Sequence, residues 1–202
     1  MTTFTVDMKW IRAVATWQPI VKNVGGNAPV LEGVNVLIDG DSIVTTVTDR
    51  YRIVYAVTEN AGDTTVTDVN VIVPMSMIVS FAAANKRVED NYPVTIEVDD
   101  NATTISANGA TVSGYGIRGQ YPNVWQLARE WQPNDTGDTI TFNMKLLADV
   151  VKFANPREGV ATTARRDDRW DCVRGGSNGG TWRFDKGNPE TFGVIVQSPK
   201  RV

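Results

Sequence analysis

A β-α-β-β-β pattern occurs three times along this chain of 202 residues. The sequence T-F-T-V-D-M-K-W-I-R-A-V at residues 3–14 aligns without a gap with T-I-T-F-N-M-K-L-L-A-D-V at residues 139–150. In both copies a strand-like alternation ends at a good helix N-cap, Asp7 or Asn143, and Met-Lys follows the cap. Copies that match in strand, cap and helix predict a fold built by repeating one supersecondary unit.

The unit consists of one strand, one helix and three further strands. The predicted helices carry an apolar stripe and lie at residues 8–18, 75–85 and 144–154. The predicted strands are rich in β-branched and aromatic residues and lie at 3–7, 29–39, 42–58 (a pair), 69–73, 92–99, 102–107, 110–117, 139–143, 170–174, 181–185 and 191–197. We therefore predict an α+β fold with helices on one face of antiparallel sheets.

The composition excludes several classes of protein. Without histidine, Ser-His-Asp catalysis, Cys-His catalysis and histidine metal sites are impossible. A single cysteine, Cys172, excludes an intrachain disulfide and fits a reducing compartment, and we expect it to be a buried strand residue. A formal charge of -3 argues against coating nucleic acid with the whole surface, but it allows one basic face. No run is long enough to span a membrane and no signal-peptide core opens the chain, so we expect a cytoplasmic protein.

Three short motifs suggest chemistry, and each has a simpler explanation. Residues 114–119 spell G-x-G-x-x-G, but Pro122 opposes the helix that a dinucleotide fingerprint requires, so we predict a bend there. The acidic residues 99–100 fit a turn, and those within 167–171 alternate with arginines as on a mixed-charge surface. We predict no enzymatic activity, no metal and no cofactor.

Each predicted helix keeps positive charge off its apolar stripe. These residues are Lys9 and Arg12, Lys86 and Arg87, and Lys145 and Lys152. Ordinary solvated helix faces explain them equally well for any one helix. If the three helices line one concave wall, however, their summed field favours a polyanion without reading its sequence.

Three segments resemble the bacterial sliding clamp, the β subunit of DNA polymerase III. V-T-D-R-Y-R-I at 47–53 resembles the A-T-D-x-x-R-L segment of the clamp's middle domain, and P-V-L-E-G-V at 29–34 resembles the strand before it. I-R-G-Q-Y-P-N at 117–123 resembles the L-[IV]-[DE]-G-x-[FY]-P-D segment that ends that domain. I-T-F-N at 140–143, with Leu146 and the C-terminal residues, resembles the second half of the last domain. Taken alone, residues 48–52 also fit a solvated strand bend in which Asp49 binds local amides and the arginines lie in water.

The resemblance implies a shortened clamp. Residues 1–136 would form a domain of two repeats like the middle domain, and residues 137–202 a third repeat like half of the last domain. The first domain of a full clamp has no counterpart, Leu146 stands where the family often has tyrosine, and the tail V-Q-S-P-K-R-V lacks the family's Met-Pro. The compact size suggests a phage source.

The implied function is a ring that encircles duplex DNA and tethers a replicative polymerase and a clamp loader. Such partners dock a short apolar peptide in a groove between domains. Carried over to this chain, that groove consists of Leu31, Thr48, Tyr51, Arg52, Ile53, Pro133, Asn143, Leu146, Val196, Arg201 and Val202. The helix cations would contact phosphates without reading bases. The alternative is a clamp-like adaptor or decoy that binds the same peptides without closing on DNA.

The repeat number also bears on assembly. Helices about 9–10 Å apart leave a hole of roughly 19 Å in a nine-helix ring and roughly 26 Å in a twelve-helix ring. The larger hole accommodates a duplex with water, so four chains are favoured over three. The third repeat lacks a partner repeat, and pairing with the same repeat of a second chain also requires an even number.

Overall fold

The computed structural model describes residues 1–22, 24, 28–60, 69–99, 101–133, 144–150, 152–159, 170–175, 181–185 and 187–197. The first unit contains β1 (Thr2–Asp7), α1 (Met8–Ala15), α2 (Gln18–Val21), β2 (Gly33–Asp39), β3 (Ser42–Thr48) and β4 (Arg52–Glu59). The second contains β5 (Val69–Pro74), α3 (Met75–Ala84), β6 (Pro93–Val98), β7 (Ala102–Ala107) and β8 (Ala110–Tyr115). A short helix, α4 (Val124–Arg129), precedes the third unit, which contains α5 (Met144–Val150), β9 (Asp171–Gly175), β10 (Thr181–Asp185) and β11 (Phe192–Gln197).

Local chemistry accounts for most of these boundaries. Asp7 caps α1 as predicted, since its Oδ1 accepts the Trp10 amide at 2.7 Å. The predicted cap Asn143 and the strand at 139–143 lie outside the described residues. The predicted helix 8–18 is wrong in its last turn, because the Thr16 hydroxyl donates to the Ala13 carbonyl and the chain restarts as α2.

Two other predictions need correction. The predicted strand 29–39 begins as a 3-10 turn, Pro29–Glu32, because Pro29 has no amide to give to a strand ladder. Cys172 is exposed, not buried.

The first two units exchange their opening strands. β1 pairs antiparallel with β6 of the second unit, while β5 pairs antiparallel with β2 of the first. The result is a four-stranded sheet in the order β1-β6-β7-β8 beside the strands β5-β2-β3-β4. Each sheet therefore needs both units, so the two repeats interlock.

The third unit extends the second of these sheets. β11 pairs antiparallel with β4, with Ile195 opposite Ile53, and produces a seven-stranded sheet in the order β5-β2-β3-β4-β11-β10-β9. The strands that meet here, β4 and β11, are each the last strand of their unit. Equivalent edge strands of two repeats therefore pair with each other within one chain.

One main core lies on the helix side of both sheets. α1 and α3 pack against each other there and bury Ile11, Val14, Ile78 and Phe81. The Trp17 and Phe192 rings stack with centroids 6.2 Å apart. The same core continues under the third unit through Val150 and Phe153. The helices α1, α3 and α5 thus share one face of antiparallel sheets, which confirms the predicted fold class. Within the described residues, no helix is long and apolar enough to cross a membrane.

Candidate functional site

The outer face of the seven-stranded sheet, opposite the helices, carries a second apolar layer. Strand alternation directs Thr48, Ile53, Tyr55 and Ile195 to this side. Leu31 is buried beside them in a cluster with Tyr121, Val124 and Ile72. Ile53 is half-buried and packs against both this cluster and a neighbouring cluster of Tyr55, Ala128, Trp131 and Ile195. We call this surface the outer apolar layer.

Residues 117–133 cover part of that layer. The Tyr121 hydroxyl accepts the Thr48 amide at 3.1 Å, and burial raises the pKa of Tyr121 well above its usual value. Asn123 caps α4 by accepting the Gln126 amide at 3.3 Å. Trp131 donates to the Thr181 hydroxyl at 2.8 Å and stacks under the Arg183 guanidinium, 4.3 Å from the ring centroid. The segment therefore ties the first unit to the third across their joint.

Two large apolar side chains remain exposed in this region. Tyr51, in the turn between β3 and β4, and Leu127, on α4, are each 63% exposed. The backbone of Tyr51 is anchored, because its carbonyl accepts the Gln197 amide at 2.8 Å. Exposed apolar side chains on a fixed backbone can anchor an apolar partner with little loss of backbone entropy.

Beneath the turn lies a buried ionic network. Arg52 is 1% exposed and donates from Nε (3.0 Å) and Nη2 (2.8 Å) to Asp49 Oδ2. Its Nη1 reaches Asp149 Oδ2 on α5 at 2.8 Å. Asp49 Oδ1 also accepts the amides of Tyr51 (3.0 Å) and Arg52 (2.8 Å), which shapes the turn. Burial opposes ionisation of Asp149, but hydrogen bonds from Arg52 and Lys152 prevail and hold its pKa below the usual range.

The predicted groove residues divide between the two faces of the sheet. Leu31, Thr48 and Ile53 lie on the outer side, and Tyr51 is exposed in the turn between β3 and β4. Pro133 is exposed and forms an isolated bridge with Gly175. Arg52 and Val196 do not join them: both are 1% exposed on the helix side, because strand alternation turns them away from Ile53 and Ile195. Asn143, Arg201, Val202 and the side chain of Leu146 lie outside the described residues.

The predicted DNA-contacting cations differ in their exposure and in the partners that they already bind. Lys86 and Arg87 are exposed just after the last turn of α3, and the stem of Lys9 lies against Gly159. Arg12 donates to the carbonyl oxygens of Asn85 (3.0 Å) and Val88 and pairs with Asp90, so it caps the C-terminal end of α3.

The last two predicted cations come from the predicted helix 144–154. That prediction is wrong at its C-terminal end, because α5 covers Met144–Val150 and Lys152 lies in a turn beyond it. Lys152 is exposed and pairs with Asp149 at 3.3 Å. The side chain of Lys145 lies outside the described ones.

Sequence reasoning missed Leu127, Tyr121 and Trp131. Leu127 lies on α4, and Tyr121 and Trp131 lie on either side of that helix. α4 is only six residues long and follows a proline, so its apolar pattern is too short to establish a period. The sequence signal that could have predicted the start of α4 is its N-cap residue, Asn123. Among the described residues, no group of three or more histidine, cysteine, aspartate or glutamate side chains could hold a metal ion.

Comparisons with known proteins agree with this architecture. Residues 20–123 match the sequence family described as DNA polymerase III beta subunit, central domain. No curated protein matches the chain.

Several solved structures share the fold. The DNA polymerase III β subunit of Thermotoga maritima superposes with a TM-score of 0.69 at 11% identity, over 100% of this chain and 66% of that one. For the sliding clamp of Bacillus subtilis the TM-score is 0.60 at 13% identity, over 100% and 65%. For a DnaN sliding clamp of Bartonella birtlesii bound to griselimycin it is 0.65 at 10% identity, over 100% and 66%. The chain thus spans just under two thirds of the clamps that it matches.

Proposed function

This chain belongs to the DNA polymerase III β-subunit family, and we propose from that premise that it is a DNA sliding clamp. Copies of it would close into a ring around duplex DNA and tether a replicative polymerase. In this proposal the chain has no catalytic residues, acts in the cytoplasm of a bacterial cell or phage-infected host, and is placed on DNA by a clamp loader.

One observation carries the proposal: two repeats of this chain pair through their edge strands, and their helices stay on one side of the resulting sheet. The β4–β11 joint continues a sheet from one repeat into the next, and α1, α3 and α5 contribute to one core on the same side of the sheets. A wall that grows by such joints and keeps a helical inner face has the architecture needed to surround a rod-shaped ligand.

The tether would be a linear peptide bound at the outer apolar layer. Tyr51 and Leu127 offer exposed anchors, and Ile53 lies half-buried between the two clusters of that layer. Apolar and aromatic anchors supply most of the affinity in such grooves, and a few polar groups set the direction of the peptide. Arg201 and Val202 remain part of the proposed site through the family resemblance.

Fluorescence anisotropy with a labelled peptide that carries leucine and phenylalanine anchors tests this site. We expect micromolar affinity, roughly -8 kcal/mol. Tyr51→Ala removes an exposed ring without disturbing the core, so it should weaken the peptide about tenfold or more, the effect of losing an aromatic anchor. Deletion of residues 201–202 should also weaken binding.

Tyr115→Ala is the matched control, because Tyr115 is also an exposed tyrosine but lies on β8, a strand of the other sheet. Its peptide affinity should equal that of the wild type. Equal affinity in Tyr51→Ala and Tyr115→Ala, with both variants folded by circular dichroism, would falsify the proposed site.

An adaptor or decoy that never closes on DNA is the second candidate. The observation that favours it is the engagement of Arg12 with α3 carbonyls and Asp90, which withdraws one of the six predicted helix cations from phosphate contact. Both candidates bind peptides, and only the clamp requires ring closure and retention on circular DNA.

A further inference from the structure

A continuous row of charged side chains connects the helix side of the molecule with the turn between β3 and β4. It begins at Lys152, which lies beyond α5 and places its Nζ 3.3 Å from Asp149 Oδ1. The other carboxylate oxygen of Asp149 accepts Arg52 Nη1 at 2.8 Å. Arg52 also binds Asp49, and Asp49 accepts the Tyr51 amide. We call the side chains of residues 152, 149, 52 and 49 the charged row. Their charges alternate in sign, so each member stabilises the next.

The two ends of this connection are exposed and its middle is buried. The Lys152 side chain is 62% exposed on the helix side, and Tyr51 is 63% exposed at the outer turn. Between them, Arg52 and Asp49 are buried and the Asp149 side chain is 15% exposed. Buried charges are screened much less than exposed ones, so a change of charge at Lys152 acts along the whole row. The row therefore links a predicted phosphate contact to a proposed peptide anchor.

The guanidinium of Arg52 binds its two carboxylates through different nitrogens. Nη1 donates to Asp149, whereas Nε and Nη2 donate to Asp49 Oδ2 at 3.0 and 2.8 Å. A stronger bond to Asp149 therefore fixes the guanidinium without taking a donor from Asp49. Lys152, in contrast, shares the charge of Asp149 with Arg52, because both cations bind the same carboxylate. Neutralising Lys152 should therefore strengthen the bond between Arg52 and Asp149.

We propose that Asp149 is a positioning residue for the peptide anchor Tyr51, and that phosphate contact at Lys152 tightens the turn between β3 and β4. A phosphate that binds Lys152 neutralises its charge and leaves Asp149 to Arg52. The fixed guanidinium then holds Asp49 and the turn amides that Asp49 accepts. A peptide meets a turn that is already ordered, at a lower cost in conformational entropy. Duplex DNA and peptide should therefore raise each other's affinity by the same factor. The two ligands come from the proposed function, on which this inference rests.

Amide hydrogen exchange of Tyr51 and Arg52, measured by NMR on the whole chain, tests the row without DNA or peptide. Lys152→Met removes the cation, as phosphate contact would neutralise it. Exchange of both amides should slow roughly two- to fivefold, the range for a partly exposed ion pair. Lys22→Met is the matched control, because Lys22 is exposed at the end of α2 and its loss changes the net charge equally. It should leave both rates unchanged.

A double-mutant cycle tests the route through Asp149. Asp149→Asn keeps the size of the side chain and removes its charge, so the Tyr51 amide should exchange roughly tenfold faster, as expected for loss of a hydrogen bond to a charged group. In that background Lys152→Met should have no effect. Ile105, buried in the four-stranded sheet, is the reference for general changes in stability. Unchanged Tyr51 exchange in Lys152→Met, an equal change at Ile105, or an effect that survives in Asp149→Asn overturns the proposal.

Peptide affinity connects the row with the proposed function. In fluorescence anisotropy, Lys152→Met should bind the labelled peptide roughly two- to fivefold more tightly than the wild type, and Lys22→Met should bind it equally. A short duplex at low salt should raise the peptide affinity of the wild type by a similar factor, and that of Asp149→Asn not at all. Slower Tyr51 exchange in Lys152→Met without any peptide binding rejects the tether alone. Peptide binding that is unaffected by Lys152→Met rejects the positioning role alone.

Discussion

At the scale of single residues, Arg52 shows how one side chain can hold two repeats together. Its guanidinium lies between Asp49 in its own turn and Asp149 on α5, so it links the first unit to the third inside the core. A buried charge of this kind is tolerated because it is paired and hydrogen-bonded on several sides. The residue supports the outer apolar layer from behind and does not form part of it.

Arg52→Met should lower the free energy of unfolding by about 3–5 kcal/mol, because it leaves Asp49 buried without its counter-charge. Urea denaturation followed by circular dichroism measures the change. Arg50→Ala is the control, since Arg50 is exposed in the same turn with φ 76° and alanine meets the same backbone strain. It should stay within about 0.5 kcal/mol of the wild type. Equal free energies of unfolding in the two variants would show that Arg52 does not stabilise the contact between the first and third units.

At the scale of elements, the joint between the first and third units depends on close contact at β9. A Cβ at Gly175 would lie 2.0 Å from the Gln132 carbonyl oxygen and 2.5 Å from Trp131, so backbone must move to admit it. Pro133 bridges to the same glycine. The segment after α4 therefore lies directly on the outer edge of β9.

Gly175→Ala should destabilise the protein by about 1–3 kcal/mol through overpacking, with a lower midpoint in thermal unfolding. Gly114→Ala in β8 is the comparison, because its Cβ would meet the flexible Met77 sulfur at 3.2 Å. That variant should lie within about 1 kcal/mol of the wild type, since a methionine can adjust its rotamer. A larger loss in Gly114→Ala than in Gly175→Ala would contradict this account.

At the scale of the whole molecule, the proposed ring depends on how the third unit finds a partner repeat. If it pairs with the third unit of a second chain, a closed ring must contain an even number of chains, and the hole estimated for twelve helices favours four. Light scattering should then report four chains. A trimer would exclude this pairing scheme.

Such a ring should remain on closed circular DNA at moderate salt and leave when the DNA is cut. Lys86→Glu with Arg87→Glu should reduce this retention, because these exposed cations follow α3 on the helix side, and the loss should increase with salt. Arg129→Glu on α4, at the outer face, is the control and should be retained normally. Sequence-specific binding, or equal retention of all variants, would contradict a sliding ring.

The secondary-structure elements could largely be predicted from the sequence, because their signals lie in residues that are close together along the chain. Alternation along residues 42–58 predicted β3 and β4, Asp7 predicted the start of α1, and the aligned copies predicted the order of elements. The same alternation separates Ile53 from Arg52, although the family resemblance had placed both in one groove.

The tertiary structure alone decided which strands pair and which charges are buried. No local pattern states that β1 belongs beside β6 and β5 beside β2, since backbone amides and carbonyls are the same in every strand and the choice depends on the common core beneath them. Likewise, Arg12 and Arg52 look like solvated cations in the sequence. They became structural only when distant partners, Asp90 and Asp149, were folded against them. Sequence determined the repeated unit, and packing between units determined how the repeats interlock, because pairing energies arise only once distant segments meet.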